Sequence, residues 1–259
     1  MDLTFAYHGA DYHLEELLEF LREDQPAFWS EPFFYCYPEI DRAAFYALPA
    51  ADRLQWLRGY FARFEEENAA LLQAKVRDYN LWWQTNRSQV TAALEDAFGT
   101  PLADRFNDLR AAVTFNPVSP RFLCSHSFDV FYKNRPQGAL GVALHEIVHF
   151  VWFAQWQALF ADNPAEYEAP HLKWILSEMV TDTVMRDERL TSLNPYQQHG
   201  GTAYPYFYTM KIDGAPVLET LYALYRALPM DAFMQQAYEW CCRHEAEIRR
   251  QIAASEQNV

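Results

Sequence analysis

Gly141-Val142-Ala143-Leu144-His145-Glu146-Ile147-Val148-His149-Phe150-Val151-Trp152 reads as one buried helix, apolar almost all round except for His145, Glu146 and His149. Two histidines four residues apart on a helix lie about 40° from each other, so their imidazoles can converge on one metal ion. The glutamate directly after the first histidine sits about a third of a turn away, within reach of a water at that ion. HExxH is a short pattern that also arises by chance. Its setting separates this copy from a surface accident, because an unpartnered carboxylate in an apolar helix is costly. The arrangement is the one zinc-dependent peptide hydrolysis requires.

Catalytic zinc takes three protein ligands and leaves one position for water. His145 and His149 supply two. Downstream, Ser177-Glu178-Met179-Val180-Thr181-Asp182 places Glu178 and Asp182 four residues apart on one helix face. Glu178 is the expected third ligand, and Asp182 the acceptor that would orient a liganding imidazole. Acid pairs on helices are often solvated, and Glu188 and the acids at 161–168 are rivals for the ligand position.

With both segments in hand, the chain resembles the gluzincin, or thermolysin-like, branch of the zincin metallopeptidases over roughly residues 110–190. That branch joins an HExxH helix to a later helix carrying an ExxxD pattern. The resemblance implies Zn2+ as cofactor, His145, His149 and Glu178 as metal ligands, Glu146 as general base and Asp182 as outer partner. The metzincin branch fits poorly, since it would need Gly at the position of Trp152 and His at that of Gln155, and the inverted HxxEH order is absent.

Hydrolysis also builds negative charge on the attacked carbonyl oxygen, which a donor helps to hold. Zincins similar to this chain often place a His or Tyr donor after the Glu-ligand helix. Here Tyr196-Gln197-Gln198-His199-Gly200-Gly201-Thr202-Ala203-Tyr204-Pro205-Tyr206-Phe207-Tyr208 occupies that place. His199 ranks first and Tyr206 second, with Tyr204 and Tyr208 as further candidates. The loop 192–214 is expected to border the cleft and move, with Gly200-Gly201 as hinge. Of the other histidines, His171 stands at a helix start and His126 near a strand, while His8, His13 and His244 read as structural or surface residues.

The rest of the chain gives a predominantly helical α+β fold: a small β-sheet, then the HExxH helix, then the Glu-ligand helix. Leu14, Leu17, Leu18 and Leu21 mark a helix over 11–22. Residues 25–50, rich in Pro and aromatics, read as loops and turns. A helical pattern with at least one break runs from Pro49 to Phe98, and Gly99-Thr100-Pro101 ends it. Runs at 112–115 and 128–132 read as strands. The motif helix covers about 138–160, the next one runs from Pro170 to about Arg189, and two more lie near 215–228 and 230–254. A helical region 1–99 and a catalytic region 100–259 are expected, with the boundary near Gly99 and one continuous domain as the alternative.

The formal charge of −14, from 21 basic and 35 acidic residues, disfavours nucleic acid and anionic membranes as partners. A peptide or protein substrate is compatible with it. Four cysteines without CxxC spacing read as free thiols, and Met1 to His8 has no leader-like pattern, so the expected location is cytoplasmic. A protein that keeps this fold without turnover, as a binding or regulatory module, is the competing reading. Zinc content and peptide turnover separate the alternatives.

Overall fold

Short β-branched and aromatic runs pair into a sheet of β1 (Leu3–Ala6), β2 (Leu109–Thr114), β3 (Arg121–Phe122) and β4 (Ser127–Phe131), in the order β1-β2-β4-β3. β1, β2 and β4 are parallel, with Ala6 opposite Ala112 and Ala112 opposite Asp129; β3 is antiparallel at the edge. β2 and β4 are buried on both faces over most of their length, and the buried polar side chain of Asp129 in β4 is held by His13 at 2.7 Å. The N-terminal strand β1 was not among the expected strands; it is four residues long. Asn80 satisfies its outer backbone as a neighbouring strand would. The Asn80 amide donates to the Phe5 carbonyl at 2.9 Å, and the Phe5 N–H donates to Asn80 Oδ1 at 3.0 Å.

The computed structural model describes residues 1–102, 104–198 and 201–256. Two compact units are present. A sheet unit takes in residues 2–85 and 107–143, and a helical unit takes in 86–106 and the chain from 144 onward. The boundary expected near Gly99 therefore falls inside the helical unit.

The sheet unit holds α1 (Leu14–Phe20), α2 (Ala27–Cys36), α3 (Arg42–Ala47) and the first part of α4 (Ala50–Phe98). Residues 25–50 are thus largely helical rather than looped. Asp41 starts α3 by accepting the Ala44 N–H at 2.7 Å. Buried Phe33 and Phe45 give α2 and α3 a tertiary reason to form despite Pro32 inside α2. The break expected in α4 is also absent. Leu57, Phe61, Leu72, Tyr79, Val90 and Leu94 are buried at spacings of four, seven and eleven, so one stripe runs the whole helix and carries it through Gly59. Gly99, at φ +63, ends it in the left-handed conformation glycine adopts without penalty.

Chain 136–160 forms α5 (Pro136–Phe160), of which the helical unit holds the part from Leu144. Then come α6 (Leu172–Met185), α7 (Glu188–Thr191), α8 (Pro195–Gln198), α9 (Pro205–Thr209), the hairpin β5 (Lys211–Ile212) and β6 (Ala215–Pro216), α10 (Val217–Ala227) and α11 (Met230–Glu256). The helix expected to reach Arg189 stops at Met185, because Asp187 accepts the Arg189 N–H at 2.8 Å and starts a new turn. Segment 192–214 is likewise not a bare loop but carries α8, α9 and β5. α6 packs against α10 and α11 and is buried at every residue except Trp174. No described helix is long and apolar enough to cross a membrane.

Candidate metal centre

The helical period brings His145, Glu146 and His149 together on α5, with one ligating atom of each lying within 4.8 Å of the others. The Nε2 atoms of His145 and His149 are 3.1 Å apart. Glu178 reaches them from α6: one carboxylate oxygen lies 3.4 Å from His149 Nε2 and the other 3.5 Å from His145 Nε2. Burial by itself would raise the Glu178 pKa, but the imidazoles of His149 and His145 hold it well below the usual carboxylate range. The site therefore pairs an ionised carboxylate with two imidazoles in an apolar surround.

The separations of 3.1, 3.4 and 3.5 Å join four atoms, two imidazole nitrogens and the two oxygens of one carboxylate, with each oxygen facing one ring. A tetrahedron with edges of about 3.3 Å has its centre about 2.0 Å from each corner, the length of a Zn–N or Zn–O bond. The two imidazoles and the Glu178 carboxylate are thus a set of donors whose spacings are of the size that zinc requires. Glu146 belongs to the same cluster but follows His145 directly, about 100° around α5. Both Glu146, on the same helix, and Glu178, from α6, are therefore carboxylates within reach of the two imidazoles. Of the rival acids, Asp162 and Glu166 both pair with Lys173 instead. Glu188 is the first residue of α7.

Asp182 departs from expectation. It is buried one turn after Glu178, but its hydrogen bonds do not go to a liganding imidazole. Arg186 donates to Asp182 Oδ2 from Nε at 2.9 Å, and its Nη2 lies 2.8 Å from the same oxygen. On Oδ1, Tyr208 donates at 2.9 Å and Gln197 at 3.4 Å. The reason is competition: a guanidinium four residues on in the same helix, and a phenol from the following segment, saturate both oxygens.

Three tyrosines spaced by two follow three α6 residues spaced by four. Tyr204 packs edge-on against Trp174, with ring centroids 5.9 Å apart. Tyr206 stacks on Tyr204, and its phenol pKa is raised by burial and then by the Glu178 charge. Tyr208 binds Asp182, and burial followed by that carboxylate raises its pKa to about 12. His199 and the hinge residue Gly200 lie outside the described residues.

Sequence reasoning gave Tyr208 a lesser place and passed over Arg186. The Glu178–Asp182–Arg186 spacing of four was a signal available for Arg186. His126 pairs with Asp108, and His171 precedes the first residue of α6. No protein-family model, no curated protein and no solved structure matches the chain.

Proposed function

We propose that the chain is a zinc-dependent peptide hydrolase of the zincin type. The observation that carries this reading is the convergence of His145 Nε2 and His149 Nε2, 3.1 Å apart, with the buried Glu178 carboxylate, whose two oxygens lie 3.5 and 3.4 Å from them. When bound, zinc supplies a Lewis acid and brings the acidity of an attacking water into the neutral range. His145, His149 and Glu178 hold it. Glu146 accepts the proton of the attacking water and delivers it to the leaving amine. Tyr206, with its raised phenol pKa, stays protonated at neutral pH and is a donor suited to the charge that develops on the carbonyl oxygen. His199 is a second candidate for that donor role. The apolar flanks of α5 keep bulk water from competing with the attack. Peptides and proteins are the proposed substrates.

The test is metal analysis of protein purified without chelator, beside His149→Ala. About one zinc per wild-type chain and none in the variant is expected. A wild type that neither contains nor takes up a transition metal defeats the reading. Stoichiometric zinc with no turnover across a peptide library would instead favour a silent binding or regulatory module.

A further inference from the structure

We propose that Tyr208 is a positioning residue for the face of α6 that carries Glu178, and that it acts through Asp182; this rests on the metal reading above. The Tyr208 hydroxyl donates to Asp182 Oδ1 at 2.9 Å and accepts the Ala203 N–H at 3.2 Å. One oxygen therefore ties the segment 201–208 to α6. It passes so close to Gly201 that a Cβ there would fall 1.6 Å from it, and Gly201 has φ +94. Only glycine leaves room for the hydroxyl and accepts that backbone conformation without penalty.

The other side of Asp182 is equally fixed. Arg186 holds Oδ2, lies 2.9 Å from Glu219 on α10, and sits over the Tyr222 ring at 4.5 Å. A carboxylate clamped at both oxygens cannot rotate. It sets α6 between the segment 201–208 on one side and α10 on the other. Glu178 is one turn back on the same face, and Tyr206, the phenol that senses its charge, is two residues before Tyr208. The Tyr208 hydroxyl thus fixes Tyr206 relative to Glu178 without a hydrogen bond to either. This is a different use of the downstream aspartate from orienting an imidazole.

The experiment compares metal binding rather than turnover. Tyr208→Phe removes one oxygen and keeps the ring. Titrated with zinc against a chromophoric chelator, it is expected to bind one ion about tenfold more weakly than wild type, the lower end for loss of an outer-shell partner. The visible spectrum of its Co2+-loaded form should shift. Asp182→Asn should give a similar loss, and the double variant no more than the larger single loss, because both changes break one link. Gly201→Ala, which fills the place of the hydroxyl, should reproduce the effect. Tyr35→Phe, at an exposed position, should match wild type. If wild type binds metal, and Tyr208→Phe keeps wild-type affinity and Co2+ spectrum or its loss simply adds to that of Asp182→Asn, the positioning role is overturned and the metal reading stands. A wild type that takes up no metal overturns both.

Discussion

Glu146 is only 5% exposed, shares a helix face region with two imidazoles, and follows the first of them directly. A general base must lie within reach of the proton it removes, and one residue past a ligand on a helix is such a place. Glu146→Gln keeps size and hydrogen-bonding shape but cannot accept a proton. It should retain one zinc per chain while turnover on the best peptide falls at least about a hundredfold. A variant that turns over at the wild-type rate would assign the proton to another group. At this scale the clustering of His145, Glu146 and His149 was legible from helix periodicity, whereas periodicity left several acids open as their neighbour and the resemblance pointed to Glu178, which the fold brings beside both imidazoles. Asp182 was legible as a buried partner but not for whom. Its partner Tyr208 is 26 residues away, and their contact depends on the backbone of Gly201. Spacing on one helix contains no such information.

The link from α5 to α6 shows how an element is held to its neighbour. Asp162 accepts from Trp156 Nε1 at 3.0 Å and from the Tyr167 hydroxyl at 2.6 Å, and it pairs with Lys173, which also holds Glu166 at 2.6 Å. Burial pushes the Asp162 pKa up, but Lys173, Trp156 and Tyr167 outweigh it and hold it below 3.8. A carboxyl whose folded pKa is depressed contributes stability that is present above its unfolded value and lost as the pH falls through the folded one. Asp162→Asn should therefore cost about 1 kcal/mol at pH 7. The gap should close as the pH falls below about 4 and through the depressed folded pKa, which urea denaturation of the two proteins at a series of acid pH values would measure. A gap independent of pH would mean that packing, not charge, holds the link. Long stripes made α4, α5 and α11 legible as helices. The short α2 and α3 were not, since their formation depends on burying Phe33 and Phe45 rather than on local preference. The break expected in α4 gave weight to local composition; the buried stripe overrides it.

Both units draw on α4 and α5, so the linear order of the chain does not give the division of the molecule. A boundary near Gly99 was a sound reading of punctuation, yet glycine marks where a helix ends and not where a unit does. At the level of the whole molecule, a metal that binds only the folded state adds to its stability. At a hundred times its dissociation constant it contributes about 2.7 kcal/mol. For a chain of this size that corresponds to a fall in Tm of roughly 5–10 °C when a chelator removes it. Calorimetry with and without chelator checks this; His149→Ala should start from the lower Tm and ignore the chelator. A wild-type Tm that does not move would argue against linkage between metal and folding.

The three proposed ligands differ in how much of each side chain meets solvent: His145 is 18% exposed, Glu178 5% and His149 0%. Of the three, His145 is the side chain that solvent and reagents meet most readily. In metal-free protein, an imidazole acylating agent such as diethyl pyrocarbonate should mark His145 well before His149, with peptide mapping to separate them from the surface histidines. Reloading with zinc should shield both. The order in which two neighbouring imidazoles become modified would thus record how far solvent reaches into the site.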